Sequence, residues 1–312
     1  MVKVDLITGF LGAGKTTFIR KYADYFIRKG QKINIIENEF GNVSVDSIIL
    51  KDEACDITQL SGGCMCCTAK VAFQNMLLDM SAGGYDRILV EPSGIYDVDE
   101  FFEIMLTEPV KDCCEIGSIL TIADARFDDK LSDEAQYIMF SQLLCTGKLI
   151  MSKTQTADEA MQNATLHRLN QIIKDRGSSR VFGDDVCRKD WDDLTDDDFE
   201  SFASCGYQLI EHEREFMQHG RVFAARVMAH LCAGENDLRE RIQKLLSDPS
   251  YGNILRVKGH IADTDGNWYE INCSLDGFYI RPSNVKKGLF IVIGQDLEED
   301  AVQNAFIPRG RK

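Results

Sequence analysis

The sequence predicts a doubly wound α/β unit with a mainly parallel sheet, followed by a smaller α+β domain. Three observations predict it. Short β-rich runs alternate with longer helical patterns through the first two-thirds of the chain, which implies a parallel sheet covered on both faces. A glycine-rich turn, "GFLGAGKT" at 9–16, separates the first run from the first helical pattern. From about residue 207 strands predominate and helices become few, which suits a mainly antiparallel sheet. The expected units are therefore 1–207 and 208–312.

Taken in order, "KVDLITG" (3–9) is a buried strand and "KTTFIRKYADYFIRKG" (15–30) a helix stopped by Gly30. "KINIIEN" (32–38) is the next strand, and "AKVAFQNMLLDMSAGG" (69–84) the next delimited helix. Strand runs follow at 87–92, 118–124 and 148–153. "LTDDDFESFASCG" (194–206) reads as a helix with Thr195 as N-cap and Gly206 as stop. Beyond it, 221–231, 253–261, 267–275 and 287–294 are expected strands. The helix 235–248 interrupts them, and "LEEDAVQNAF" (297–306) closes the chain.

Composition narrows the class. With 312 residues the chain can bury a sizeable core. A net charge of −15 argues against a nucleic-acid or anionic-membrane surface, since both need a basic footprint. No apolar run approaches the ~20 residues that cross a bilayer. The N-terminus has charges at Lys3 and Asp5 and no apolar core of a signal peptide, so a cytoplasmic location is expected. Eleven cysteines in a reducing compartment are thiols or metal ligands rather than disulfides. The acidic run "DWDDLTDDDFE" (190–200) reads as a solvated helix face with its cap.

The turn at 9–16 fits G-x-x-x-x-G-K-[ST] between a strand and a helix, the context that makes this pattern a phosphate-binding loop. Its glycines let backbone N–H groups turn towards phosphate oxygens, and the helix N-terminus adds its dipole. The expected nucleotide contacts are Gly9, Gly12, Ala13, Gly14, Lys15, Thr16 and Thr17. Lys15 would reach the β/γ-phosphates and the Thr16 hydroxyl would bind Mg²⁺. "ILVEPSG" (88–94) occupies the place of a Walker-B strand. Glu91 is expected on the Mg²⁺ shell or its water, and Gly94 as a γ-phosphate sensor through its N–H.

"SGGCMCC" (61–67) crowds Cys64, Cys66 and Cys67 after two glycines that let the backbone bend. Thiolates in this number select Zn²⁺ most readily, with Co²⁺, Ni²⁺ and Cu⁺ as further candidates. Three thiols leave one position of a tetrahedral ion open, which suits an ion that is received and passed on. The competing readings are small apolar fillers and a redox-sensitive pair. Cys113–Cys114 lacks a ligand pattern and reads as core or loop, and the remaining cysteines as structural.

"ITGFLGAGKTT", "IENEFGNVSVD", "SGGCMCC" and "VEPSG", in this order, resemble the CobW family of P-loop GTPases. "NILRVKGHI" and "FIVIGQDLEEDAV" are similar to the family's C-terminal domain, so the likeness spans nearly the whole chain. The resemblance implies a metallochaperone that couples GTP hydrolysis to hold and release of Zn²⁺ or Co²⁺. Its partner would be a client metalloprotein or a cofactor-biosynthesis enzyme, and it would act as a monomer or homodimer. The alternative is a nucleotide-driven assembly or reactivation factor for a metal- or corrinoid-dependent enzyme. The resemblance also implies that Glu39 contacts Mg²⁺ or the cargo ion, with Glu37 as second candidate.

The sequence departs from that pattern in two places. Asn42 stands where relatives carry an acid. In the base-reading motif, Ser152, Lys153, Thr154 and Gln155 stand where relatives have Asn/Thr-Lys-x-Asp. A Gln carboxamide presents one acceptor and one donor, which complements adenine better than guanine, so ATP competes with GTP as the expected nucleotide.

Overall fold

The computed structural model describes residues 1–37, 55–59, 70–127, 131–210, 224–228, 235–262, 266–274, 277–283, 289–295 and 297–306. The described residues separate into two compact units, one before residue 211 and one after 223. The expected Cys64, Cys66, Cys67 and Glu39 lie outside the described residues, as does Asn42.

The first unit carries β1 (Val2–Thr8), α1 (Lys15–Arg28), β2 (Ile33–Glu37), β3 (Cys55–Gln59), α2 (Lys70–Ala82), β4 (Arg87–Glu91), α3 (Val98–Met105) and α4 (Val110–Cys113). β5 (Cys114–Asp124), α5 (Asp133–Cys145), β6 (Lys148–Ser152), α6 (Glu159–Asp175) and α7 (Asp196–Ser204) complete it. The six strands form one sheet in the order β3-β2-β4-β1-β5-β6, and every pairing is parallel. The predicted α/β class is therefore observed.

Both faces of this sheet are covered, which is why its strands read as unbroken apolar runs. Ile7, Ile35, Leu89 and Ile122 pack against Phe18, Tyr22 and Phe26 of α1 and Phe199 and Phe202 of α7. The alternate residues Leu6, Ile36 and Val90 are equally buried. α7 keeps the predicted cap: Thr195 and Asp198 hydrogen-bond reciprocally as a capping box. A charge sits inside this core. Asp5 on β1, fully buried, accepts from Arg87 Nη1 at 2.5 Å, Tyr22 O–H at 2.8 Å and Ser118 N–H at 2.8 Å. These bonds tie β4, α1 and β5 to the central strand.

The sequence reading leaves β3, α3, α5 and α6 undelimited. β3 is an edge strand with only one neighbour, and in the five residues Cys55–Gln59 only Cys55 and Ile57 are apolar, too few to mark a strand. α5 is buried nearly all round, from Ala135 and Tyr137 through Cys145, so it shows no polar face and no stripe. Cys114, expected in core or loop, opens β5 and is buried, while Cys113 ends α4.

The second unit carries β7 (Ala224–Met228), α8 (Glu235–Ser247), β8 (Asn253–Ala262), β9 (Trp268–Cys273), β10 (Phe278–Pro282), β11 (Leu289–Gln295) and α9 (Glu299–Phe306). Its strands form an antiparallel sheet, β10-β9-β8-β11-β7. Leu238, Ile242 and Leu245 of α8 and Val302 of α9 pack on Val257, Ile261, Ile271 and Val292. β10 is the one strand here that the sequence reading does not separate. Only five residues long, it lies mostly exposed at the sheet edge.

Candidate nucleotide and metal site

The site gathers at the carboxyl ends of β1, β2 and β4, the usual place for ligands on an open parallel sheet. β1 ends at Thr8 and the chain turns through Gly9 to Gly14 into α1. Gly9 has φ 141°, and a Cβ there would lie 2.2 Å from Ile122 O, so no side chain fits. Ala13 N–H closes the turn onto Phe10 O at 3.2 Å. α1 begins after Gly14 with no side-chain cap and no acid in its first turn. α3, α5, α6 and α7, by contrast, are capped by Asp97, Ser132, Asp158 and Thr195. The first N–H groups of α1 thus lack a side-chain cap and suit an anion.

Lys15 is buried, and its Nζ donates to Gly9 O at 2.9 Å, so its charge is folded back into the loop. Thr16 Oγ1 donates to Glu91 Oε1 at 2.7 Å. Thr17 is exposed on the same turn. Glu37 and Glu91 are register partners on β2 and β4, and each is only 6% exposed. Register partners on adjacent strands present their side chains on one face about 4.8 Å apart. Two buried carboxylates and a threonine hydroxyl therefore line up beside the phosphate loop. This hard oxygen set fits Mg²⁺, whose charge would offset the mutual repulsion of the two acids.

Gly94 comes three residues after Glu91. A Cβ on it would lie 2.5 Å from Leu11 N, so its backbone packs directly on the phosphate loop. The expected base-reading residues form a second wall. Ser152, buried, donates its hydroxyl to Ala123 O at 3.3 Å, so it braces the turn. Lys153 takes a left-handed conformation, φ 57°, and its ammonium is paired with Asp124 at the end of β5. Burial alone would raise the Asp124 carboxyl, but hydrogen bonds from Lys153 and Arg126 outweigh it and hold the group below its ordinary value. Gln155 is exposed on the short 3₁₀ turn Thr154–Thr156.

Trp191 joins the two walls. Its Nε1–H donates to Met151 O at 2.9 Å, its ring meets Phe18 edge-on, and a Cβ on Gly14 would lie 3.2 Å from it. Inside an acidic run this indole gave no sequence signal. Its neighbours Asp192 and Asp193 are exposed, as the solvated-face reading expects. Asp124 was legible only as the end of a strand.

The described cysteines form no disulfide. Cys113 and Cys114 place their sulfurs 3.8 Å apart, but burial, then the Cys113 thiol, pushes Cys114 up to about 12. Burial likewise raises Cys145 to about 12 and Cys205 and Cys273 to about 11. Such thiols stay protonated and make poor ligands, in keeping with a structural role. Among the described residues no group of three His, Cys, Asp or Glu side chains comes together and no helix is long and apolar enough to cross a membrane.

A lysine-bearing loop between the first strand and helix of a parallel sheet marks the P-loop nucleotide-binding class. Within that class, residues 3–179 match the family described as CobW/HypB/UreG, nucleotide-binding domain, and the chain belongs to this family. It is 33% identical over 179 residues to the zinc chaperone YjiA of Escherichia coli, covering 54% of this chain and 55% of that one. It is 28% identical over 187 residues to the zinc-regulated GTPase metalloprotein activator 1 of Schizosaccharomyces pombe, covering 55% and 44%. The chain thus spans about half the length of these curated relatives. The crystal structure of Zn(II)-bound YjiA GTPase from E. coli is similar over 98% of both chains, with 22% identity and a TM-score of 0.40.

Proposed function

We propose that the chain is a nucleotide-dependent metallochaperone, a slow GTPase that holds Zn²⁺ or Co²⁺ and passes it to a client metalloprotein or cofactor-biosynthesis enzyme. The observation that carries this reading is the row of half-buried Thr16 and buried Glu91 and Glu37 beside the phosphate loop. It would put the Mg²⁺ ligands of a nucleotide next to an acid on β2, the strand paired with β3, which the thiol segment follows in the chain. Lys15 and Thr16 would bind the β/γ-phosphates and Mg²⁺. Gly9, Gly12, Ala13, Gly14 and Thr17 would supply backbone N–H groups. Glu91 would hold the Mg²⁺ shell, and Gly94 would sense the γ-phosphate.

The cargo ion is substrate rather than resident cofactor in this scheme. Cys64, Cys66 and Cys67 would hold it, with Glu37 or Glu39 as an oxygen ligand. Because thiolates and carboxylates must lose protons to bind, loading releases protons and falls off in acid. The nucleotide state would set the hold on the ion through the segment joining β2 to the thiols. Residues 1–207 would form the nucleotide and metal domain and 208–312 a separate C-terminal domain, in a reducing cytoplasm that keeps the thiols free.

Co²⁺ tests the reading directly, since thiolate ligation gives an intense charge-transfer band in the near ultraviolet. The wild type should show that band, with an affinity that differs between GTP- and GDP-loaded protein. The triple substitution Cys64→Ala, Cys66→Ala, Cys67→Ala should lose the band while keeping nucleotide affinity. A band that survives all three substitutions places the ion elsewhere and refutes the cargo site. A nucleotide-insensitive affinity turns the reading towards an assembly factor with a structural ion.

A further inference from the structure

The segment that follows Glu91 is buried without a break from Pro92 to Val98. A loop at a strand end is ordinarily exposed and mobile. This one is held from behind by two successive residues of α5. Ser141 Oγ accepts the Val98 N–H at 3.4 Å, and Gln142 Nε2 donates to Gly94 O at 3.3 Å and to Tyr96 O at 3.2 Å. Gln142 is completely buried, and its own carbonyl accepts the Thr121 hydroxyl of β5 at 2.8 Å, which pins that point of the helix to the sheet. The amide orientation follows from its neighbours, because reversing it would set Oε1 against two carbonyl oxygens.

On its other side Gly94 touches the phosphate loop. A Cβ would lie 2.5 Å from Leu11 N and 2.8 Å from Leu11 Cα. A continuous line of contacts therefore runs from α5 through Gly94 to the backbone expected around the phosphates. A glycine is the residue least able to hold its own peptide planes, since both of its dihedrals are soft. A donor is useful to a transition state only if it is already oriented when charge develops.

We propose that Gln142 is a positioning residue for triphosphate hydrolysis: by fixing the carbonyls of Gly94 and Tyr96 it pins the turn on the C-terminal side of Gly94 against the phosphate loop. This limits the freedom of Gly94 and keeps its N–H, on the preceding peptide, towards the γ-phosphate. The inference rests on Gly94 being the γ-phosphate sensor, as set out above. A diphosphate has nothing at that position, so the effect belongs to the triphosphate state and to turnover. It does not belong to nucleotide binding in general.

The test compares Gln142→Met, Gln142→Glu and Gly94→Ala with wild type. Steady-state GTP hydrolysis, affinities for GDP and for a non-hydrolysable GTP analogue, and thermal melting are measured on each. Methionine keeps the volume and removes the donor. Gln142→Met is expected to lower kcat by about tenfold or more and to weaken the analogue, with GDP affinity held within about twofold. Gln142→Glu can donate only when protonated, so its activity relative to wild type should rise as pH falls from 8 to 6. A packing role would give no such profile. Unchanged kcat in Gln142→Met, or equal losses of GDP and analogue binding, overturns the proposal. Should the methionine variant fail to fold, a flat pH profile for Gln142→Glu overturns it instead. Wild-type turnover in Gly94→Ala removes the sensor assignment and the proposal with it. An inactive Gly94→Ala beside a fully active Gln142→Met overturns the role of Gln142 alone.

Discussion

Thr16 Oγ1 donates to Glu91 Oε1 at 2.7 Å, so the first turn of α1 is bonded to the end of β4. The hydroxyl and the carboxylate that would share a Mg²⁺ ion are thus already neighbours. Glu91→Gln keeps an acceptor for Thr16 and removes only the charge. We expect folding stability without Mg²⁺ to be kept or raised, because neutralising Glu91 relieves its repulsion with Glu37, while the Mg²⁺ concentration for half-maximal hydrolysis rises at least about tenfold. A Mg²⁺ titration of GTP turnover reads this. An unaltered Mg²⁺ dependence would take Glu91 out of the metal shell.

Lys15 presents the only side-chain cation of the phosphate loop, parked on Gly9 O at 2.9 Å. Lys15→Ala should abolish hydrolysis, a loss of at least about a hundredfold, because no other charge replaces it at the β/γ-phosphates. Turnover equal to wild type in a malachite-green phosphate assay would sink the P-loop assignment.

The turn expected to read the base carries Gln155 where a carboxylate would accept two N–H bonds from guanine. Each charge-assisted bond is worth ~1.5–3 kcal/mol, so preference for GTP over ATP should stay within about tenfold in the wild type. Gln155→Asp should raise GTP affinity and lower ATP affinity, since a carboxylate repels the adenine N1 lone pair. Competition binding at constant Mg²⁺ measures both. Strong GTP selectivity that the substitution leaves untouched means that Trp191, backbone groups or other neighbours read the base.

Asp5 and Arg87 form a buried ion pair in the middle of the first unit, 0% and 6% exposed. Removing one member leaves the other charge buried and unpaired. Arg87→Met should therefore destabilise the protein by about 3–5 kcal/mol in urea unfolding. A loss below about 1 kcal/mol would show that Asp5 is protonated in the folded state, where a neutral carboxyl still bonds Tyr22. Nucleotide affinity of the folded fraction should be unaffected, because the pair joins the strands away from their carboxyl ends.

Local chemistry accounts for what was legible from the residues alone. "GFLGAGKT" needs only its own glycines and the strand and helix beside it, so loop, lysine and threonine were readable together. Thr195 caps its helix through a residue three positions away, and Gly206 stops it with a left-handed turn, φ 64°. The strands of the parallel sheet other than β3 announced themselves because both their faces are buried. Partnership across the fold was not readable in this way. Nothing near Glu91 in the chain indicates that Glu37 stands in register beside it; the order β2-β4-β1 decides that. The tie between Lys153 and Asp124, the indole of Trp191 against Gly14, and the hold of Gln142 on Gly94 likewise join residues 29 to 177 positions apart. A side chain's partners at such separations are set by how helices cross the sheet. Periodicity records which face of a helix is apolar, but not which loop lies beneath it.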